Sequence, residues 1–249
     1  MMEPETATPP PAPEERYPFW GYGDVLLFIG LAFPSLLAGA LVVKTVVVLL
    51  RIPVHNRIFE ILPAQFGGYA ILFGLLALLF RWQYGRRFWP SLGWTPPSLP
   101  PSRMVLAGVG LAVAVALGSM ALRTPDINSP MKEFLASRTS VLLLAIFGTT
   151  LGPLCEELAF RGFMQPLFVR SAGPAGGILL AALPFGLLHL QQYGWSWRHG
   201  LLITLAGVGF GWMRHRTGST RAAVVMHMAY NCTFFVGLVV QQKDFPRTW

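Results

Sequence analysis

Two adjacent glutamates, Glu156 and Glu157, lie in the apolar stretch LCEELAFRGFM and are the only acidic residues between positions 134 and 243. A charged side chain at the centre of a membrane costs on the order of 3 kcal/mol, so this pair is expected to have a use. Glu157 and Arg161 are four residues apart, which on a helix predicts an ion pair on one face. Glu156 is rotated by about 100° from Glu157, so its carboxylate stays free to exchange a proton.

Two other apolar stretches also carry residues that could do chemistry. His189 ends PFGLLH, four residues after Phe185, and HMAYN places His227 and Asn231 four residues apart. An imidazole can exchange a proton near neutral pH. An imidazole and a carboxamide on one helix face are also donors of the kind that an oxyanion needs. The free glutamate, the two histidines and the asparagine together predict a catalytic site.

Each of these features also has a structural explanation. The Glu157–Arg161 pair taken alone is most simply structural, and a lone buried histidine is more often a core residue than a catalyst. An HxxxN pair more often joins two membrane helices by hydrogen bonds. A catalytic site is favoured because the structural explanation requires three independent and costly coincidences on three apolar segments.

The remaining candidate residues are weaker. Cys155 and Cys232 have no base at helical spacing on their own faces, so we do not expect a cysteine nucleophile. His55, His199 and His215 are predicted to lie in loops beside arginines, outside the site. The sequence contains no HExxH zinc motif, no GxSxG motif and no P-loop.

The composition places these residues in a membrane protein. The 249 residues are 53% hydrophobic and 12% charged, against about 25% charged in soluble domains. We therefore predict an all-α polytopic transmembrane bundle of seven to eight spans with an intramembrane active-site cavity. Seven spans are predicted: about 24–50, 61–80, 104–122, a span from Thr139, 176–190, 200–213 and 221–240.

The domain organisation predicted from composition is simple. Residues 1–18 form a Pro-rich tail without apolar residues to bury, which predicts disorder. Residues 19–249 form a single transmembrane domain. The net charge of +8 comes from basic residues between the apolar runs, where they can face lipid headgroups, so nucleic-acid binding is not expected. With the N-terminus inside, ten basic residues lie on the cytoplasmic side and eight on the other, a weak preference.

The three motifs, EELAFR at 156–161, FGLLH at 185–189 and HMAYN at 227–231, resemble the CPBP family of intramembrane proteases over about residues 140–240. This family includes CAAX prenyl endopeptidases and bacterial relatives linked to bacteriocin processing and self-immunity. The resemblance implies a helical bundle with a cavity that is open to membrane and cytoplasm. It also implies that Glu156 and His189 activate water, that His227 and Asn231 stabilise the oxyanion, and that Glu157 and Arg161 orient the site.

The resemblance leaves the role of a metal open. The family is often called a metalloprotease family, and Glu156, His189 and His227 could supply the three protein ligands that a catalytic zinc usually takes. A metal-free glutamate mechanism fits these residues equally well. The expected partners are membrane lipid and a peptide or protein substrate, with a lipidated substrate as one option.

Two other functions remain open at this stage. One is a non-proteolytic membrane scaffold or bacteriocin immunity protein, in which the motifs only hold the bundle together. The other is a proton-coupled carrier, which is disfavoured because no paired half-repeats or matching broken helices are visible. A multi-pass protein of a bacterial inner membrane is the expected location.

Overall fold

The computed structural model describes residues 16–54, 56–126 and 137–241. These residues contain helices and no strand, which confirms the all-helical prediction for this part of the chain. The helices are α1 (Tyr22–Leu49), α2 (Ile58–Tyr84), α3 (Phe88–Ser91), α4 (Pro101–Ala121), α5 (Arg138–Ile146), α6 (Gly152–Glu157), α7 (Gln165–Leu188), α8 (Trp197–Thr217) and α9 (Thr220–Gln241). Two π-helical segments, Phe147–Leu151 and Leu158–Met164, join α5, α6 and α7 into one run, and a 3₁₀ turn, Gln191–Tyr193, precedes α8.

Five of these helical runs are long and apolar enough to cross a membrane. They are α1, α2, α4, the 51-residue run Arg138–Leu188, and Thr220–Val240 of α9. The predicted count of seven to eight spans is therefore not confirmed. Two of the predicted spans, from Thr139 and at 176–190, lie within the single 51-residue run. A third predicted span, 200–213, lies in α8, which is not among the five and has arginines and histidines in its first and last turns.

Contacts between helix ends define two ends of the bundle. At one end, the Tyr84 hydroxyl of α2 donates to Asp24 of α1 at 2.8 Å, and α8 ends where α9 begins. At the opposite end, Asn56 donates to Ser140 at 2.9 Å and Arg198 donates to the Arg123 carbonyl at 3.0 Å. We call the first end the basic end, because nine arginines of the described residues lie there: Arg16, Arg81, Arg86, Arg87, Arg103, Arg170, Arg214, Arg216 and Arg221.

The run Arg138–Leu188 folds back on itself at Gly173. Gly173 has φ +72° and ψ 173°, a backbone conformation that glycine adopts without a steric penalty. Beyond it, Gly177 approaches Val169 so closely that a Cβ on Gly177 would overlap the Val169 backbone. The arm after Gly173 therefore returns alongside the first arm and brings His189 back to the level of Glu156.

The N-terminal segment is packed onto this run. Trp20 is fully buried, stacks between Phe80 and Phe163 with ring centroids 5.2 and 5.3 Å away, and donates to the Phe163 carbonyl at 3.0 Å. Tyr17 and Pro18 belong to the predicted tail, and Pro18 is also fully buried. Residues 1–15 of that tail lie outside the described residues.

Close helix contacts fix the position of α9, which carries two of the candidate residues. Gly108 of α4 lies against Met226 and Ala229 of α9, and a Cβ at Gly108 would overlap the Met226 carbonyl oxygen. Small residues allow membrane helices to approach in this way.

Candidate active site

The second π-helical segment and α6 hold the paired residues of the first motif. Arg161 donates from Nη1 to Glu157 Oε1 at 3.0 Å, and both side chains are fully buried. Arg161 also donates from Nη2 to the Gly207 carbonyl of α8 at 2.8 Å. The structure therefore places Glu157 and Arg161 in contact, as their spacing predicts, and attaches the pair to α8. Single-turn π-bulges occur frequently at functional sites.

Glu157 has a second partner that sequence reasoning missed. The Nδ1 atom of His227, on α9, lies 2.9 Å from the same Glu157 Oε1 atom. The interpretation that Glu157 serves Arg161 alone is therefore corrected, because Glu157 also fixes the orientation of the His227 ring. Helical periodicity could not reveal this contact, since the two residues are 70 positions apart.

Glu156 lies between the two histidines without a direct hydrogen bond to either. Its Oε1 atom is 3.9 Å from His189 Nε2, and its Oε2 atom is 3.8 Å from His227 Nε2. The side chains of Glu156 and His189 are 26% and 25% exposed, so water can reach them, whereas Glu157 is fully buried. The two adjacent glutamates thus have different surroundings. Glu157 is buried against Arg161 and His227, whereas Glu156 faces two imidazole nitrogens.

The hydrogen bonds of the two rings determine which nitrogen faces Glu156. His189 Nδ1 lies 2.7 Å from the Phe185 carbonyl oxygen, which can only accept, so Nδ1 carries the proton. His227 Nδ1 likewise donates to the Glu157 carboxylate. In the neutral form, each histidine therefore presents the lone pair of Nε2 to Glu156. Two lone pairs and a carboxylate at 3.8–3.9 Å suit a bridging group between them, either a water or a cation.

Asn231 has one of its donors engaged. Its Nδ2 atom donates to the Gly148 carbonyl oxygen at 2.7 Å, and Gly148 lies in the first π-helical segment. Among the described residues, the second N–H of the Asn231 carboxamide has no hydrogen-bond acceptor. The predicted pair of free donors is therefore corrected: one N–H of Asn231 is engaged, and His227 can donate from Nε2 only when doubly protonated.

Aromatic rings enclose this cluster on one side. Phe210 of α8 stacks on His227 with ring centroids 4.2 Å apart and an interplanar angle of 19°. Phe185 lies 4.6 Å from the Arg161 guanidinium carbon and 4.7 Å from the His189 ring. These contacts hold both the cation and the imidazoles by cation–π and stacking interactions. Sequence reasoning missed Phe210, because it lies in an apolar helix outside the three motifs.

The charges of the cluster can balance with one proton. Glu156 and Glu157 contribute two negative charges when ionised, Arg161 contributes one positive charge, and a protonated His227 contributes the second. If His227 is neutral, a proton on Glu156 gives the same net charge of zero. The cluster therefore stays neutral while one proton moves between a carboxylate and an imidazole, which is the property that general acid–base catalysis needs.

The predicted metal ligands are Glu156, His189 and His227. Among residues 16–54, 56–126 and 137–241, no group of three or more His, Cys, Asp or Glu side chains is arranged to hold a metal ion. Glu156, His189 and His227 face one another, but as placed they do not form such a group.

The side chains that were set aside lie elsewhere. Cys155 is buried and Cys232 is exposed, and both thiols are free. His199 and His215 lie in α8 rather than in loops, because α8 extends beyond the predicted span at both ends. His199 stacks on Tyr193 with ring centroids 4.9 Å apart. His55 lies outside the described residues.

Comparison with known proteins identifies the part of the chain that carries this cluster. Residues 138–233 match the model of a protein family described as type II CAAX prenyl endopeptidase Rce1-like. Comparison with curated proteins gives no significant match, and comparison with solved structures gives none either. The family match confirms the predicted resemblance to the CPBP family over these residues. Together with the apolar helices, it also indicates an integral membrane protein.

Proposed function

We propose that this CAAX-protease-like membrane protein hydrolyses a peptide bond with a water molecule held between Glu156, His189 and His227. The observation that carries the proposal is the position of Glu156, 3.9 and 3.8 Å from the Nε2 atoms of the two histidines. These separations are too long for direct hydrogen bonds. They suit a water that donates to the carboxylate and to one Nε2 lone pair.

The first chemical step is attack by this water. Glu156 accepts one proton of the water, and the water oxygen forms a bond to the carbonyl carbon of the scissile peptide. His189 orients the water through Nε2, because its Nδ1 atom is anchored on the Phe185 carbonyl. Glu156 then transfers the proton to the leaving amine as the carbon–nitrogen bond breaks. General acid–base catalysis of this kind typically contributes about 10²- to 10⁴-fold in rate.

The negative charge on the former carbonyl oxygen needs donors. The free N–H of Asn231 supplies one, while the other N–H holds the side chain on Gly148. His227 supplies a second from Nε2 in its doubly protonated form, which the carboxylate of Glu157 stabilises at 2.9 Å. Losing one such donor typically reduces the rate by about 10²- to 10³-fold.

Glu157 and Arg161 act in this scheme as positioning residues. Arg161 compensates the charge of Glu157 at 3.0 Å, and the buried carboxylate then orients His227. Outer groups that orient a reactive histidine typically change activity by about 10- to 100-fold when removed, a figure measured at metal sites.

The substrate is proposed at the level of its chemistry. A peptide or protein segment reaches Glu156 from the membrane, and a prenylated C-terminus is the probe that the family match suggests. We also propose that the protein lies in a bacterial inner membrane. The positive-inside tendency would then place the basic end, and the N-terminus with it, in the cytoplasm.

The test compares Glu156→Gln with the adjacent Cys155→Ser in purified, lipid-reconstituted protein. The measurement is cleavage of a fluorogenic prenylated peptide with a CAAX-type C-terminus, followed by mass spectrometry of the products. Glu156→Gln is expected to lose activity by about 10²-fold or more, whereas Cys155→Ser retains most of it. Full activity of Glu156→Gln would overturn the proposal.

Two further arms of this experiment separate the alternatives. If the protein is a scaffold or immunity protein, wild type cleaves no peptide, and a Glu156→Gln strain keeps its phenotype. A comparison of membrane peptides between wild-type and Glu156→Gln strains then shows no uncut substrate. Metal content, measured on the purified wild-type protein together with activity after chelation, tests the zinc version with Glu156, His189 and His227 as ligands.

A further inference from the structure

A polar cavity lies at the basic end, separate from the cluster around Glu156. It has a volume of about 250 Å³, enough for about eight waters at roughly 30 Å³ each. Its lining residues come from the N-terminal segment, the first arm of α7 and the end of α8: Tyr17, Gln165, Pro166, Val169, Arg170, Arg214 and His215.

Arg214 is the main charge in this cavity and lacks a counterion among the described residues. Its guanidinium donates from Nη2 to the Tyr17 hydroxyl at 3.2 Å, but its Nε atom is buried without a hydrogen-bond partner. The residue is only 8% exposed. No carboxylate of the described chain lines the cavity. Because a buried charge is costly unless it is paired, this guanidinium calls for an anion.

Gln165 adds an unsatisfied acceptor to the same cavity. Its Nε2 atom donates to the Gly211 carbonyl at 2.9 Å, and its Oε1 atom is buried without a partner in a residue that is 2% exposed. Two residues of the cavity wall therefore carry an unused N–H donor and an unused carbonyl acceptor, and both atoms are covered by the surrounding side chains. A ligand that satisfies both carries an anionic oxygen and a hydroxyl hydrogen.

Arg170 reinforces the positive charge and is itself firmly held. It donates to the backbone carbonyls of Pro18 and Trp20, so it forms part of the rigid wall between α7 and the N-terminal segment. Two cations thus line a cavity that has no described acidic residue in its wall.

The surroundings of the cavity are those of a membrane interface. The Arg221 guanidinium lies 5.9 Å from the Trp94 ring, and the nearby Trp212 ring is exposed. Trp residues with neighbouring arginines are enriched at the level of the lipid headgroups, and negatively charged lipids attract such basic segments. The anion that is most available at this level is the phosphate of a lipid headgroup.

We propose that this cavity binds a phosphate group that carries a hydroxyl, as in the headgroup of phosphatidylglycerol. Phosphate oxygens accept from the Arg214 guanidinium, and the hydroxyl donates to Gln165 Oε1 after the Arg214 and Gln165 side chains turn toward the cavity. Arg170 contributes charge. A free phosphate ion has the same chemistry, since its P–OH can also donate to Gln165, and the experiment below separates the two sources. The site does not depend on whether the protein is a protease.

The test is native mass spectrometry of the full chain in detergent, titrated in separate arms with phosphatidylglycerol, phosphatidylcholine and inorganic phosphate. We expect one phosphatidylglycerol to bind at least about tenfold more tightly than phosphatidylcholine. Arg214→Gln should weaken this binding by about 10- to 100-fold, since hydrogen bonds to charged groups are the stronger class. The matched control is Arg216→Gln, which removes an exposed arginine two positions further along α8 and should leave the affinity unchanged.

The remaining arms keep the result decisive. Thermal unfolding of wild type with each additive provides a readout that needs no variant, and phosphatidylglycerol should raise the melting temperature where phosphatidylcholine does not. Binding of inorganic phosphate that requires Arg214, with no preference for phosphatidylglycerol, would assign the site to free phosphate instead. Equal losses in Arg214→Gln and Arg216→Gln, or no binding that depends on Arg214, would overturn the proposal.

Carboxylates of the chain itself are a competing ligand for Arg214 in this cavity. Glu14 and Glu15 precede Tyr17 in the sequence, so a Glu14→Gln/Glu15→Gln variant is included. We expect its phosphatidylglycerol affinity to equal or exceed that of wild type. Binding that appears only in this variant would mean that the chain's own carboxylates satisfy Arg214, and it would contradict the proposal.

Discussion

Two buried arginines, Arg161 and Arg214, occupy opposite electrostatic situations in neighbouring parts of the bundle. Arg161 is fully buried and is compensated by Glu157, one helical turn away on the same helix. Arg214 is 8% exposed, and among the described residues its one side-chain hydrogen-bond partner is the neutral hydroxyl of Tyr17. Arg161 donates to the Gly207 carbonyl of α8. Arg214 lines the same cavity as Gln165, whose carboxamide donates to the Gly211 carbonyl of α8.

The difference shows how each region uses its charge. Around Arg161 the chain supplies the counterion, the imidazole and the stacking rings. Arg161 Nε and Glu157 Oε2 are also buried without hydrogen-bond partners, so the difference between the two regions lies in the counterion and not in the count of unpartnered atoms. Around Arg214 the described chain supplies a donor, an acceptor and two cations, but no anion. We propose that the first arrangement serves catalysis and that the second binds an anion.

The largest effect should come from breaking the compensated pair. Arg161→Met leaves the Glu157 carboxylate buried without its cation, which typically destabilises a protein by about 3–5 kcal/mol. Denaturant unfolding in detergent micelles measures the effect. The double variant Arg161→Met/Glu157→Met should recover most of the stability, since an ion pair can often be replaced by apolar residues. A mild effect of the single variant would show that the pair is not needed for folding.

Activity should separate the two regions next. Asn231→Ala removes an oxyanion donor and its anchor on Gly148, with an expected loss in kcat of about 10²- to 10³-fold, or about 3–4 kcal/mol. Arg214→Gln lies outside the proposed chemistry and should keep kcat within a few-fold in phosphatidylcholine. Steady-state cleavage of the prenylated peptide measures both. Equal losses in the two variants would erase the distinction between the regions.

A smaller effect is expected where α8 contacts Arg161. A Cβ at Gly207 would lie 3.1 Å from Arg161 Nη2 and 3.1 Å from Phe185. Gly207→Ala should therefore cost about 1–3 kcal/mol by overpacking. The control is Gly237→Ala on α9, where a Cβ meets no atom within 4 Å. Thermal unfolding of both variants checks this, and equal stability would mean that α8 can move away from Arg161.

The smallest effect should be that of Arg214→Met in phosphatidylcholine. This change removes a buried cation and leaves no described anion unpaired. It loses one hydrogen bond from a charged group to Tyr17, worth about 1.5–3 kcal/mol, and this loss is offset because the cost of burying the charge is also removed. We expect a change in unfolding free energy of about 1 kcal/mol or less, in contrast to Arg161→Met. A loss as large as that of Arg161→Met would reveal a counterion that the proposal does not include.

Local spacing in the sequence was sufficient for some of these features. The i, i+4 relation predicted the Glu157–Arg161 contact, and the apolar composition predicted a helical membrane protein. The prediction that Glu156, His189 and His227 share one site came from the resemblance of the three motifs to a known family. Helical spacing alone could not provide it, because His189 reaches Glu156 only through the fold-back at Gly173.

Other features depend on tertiary contacts that no periodicity contains. Glu157 meets His227 and Asn231 meets Gly148 across 70 and 83 positions, and Phe210 stacks on His227 from a helix without a motif. The count of spans was not confirmed. The predicted fourth and fifth spans lie in one helical run, and α8 is not among the five candidate spans because it carries basic residues in its first and last turns. Charge compensation at Arg161 was visible from sequence, whereas its absence at Arg214 required the packed structure.

The central claim is that Glu156 and the two Nε2 atoms hold a reactive water, and a high-resolution experimental map of the wild-type protein tests it most directly. The account predicts a water within hydrogen-bond distance of the Glu156 carboxylate and of Nε2 of His189 or His227, and its loss or displacement in Glu156→Gln. A direct Glu156–histidine hydrogen bond with no water between them, or a metal ion bound by Glu156, His189 and His227, would contradict it.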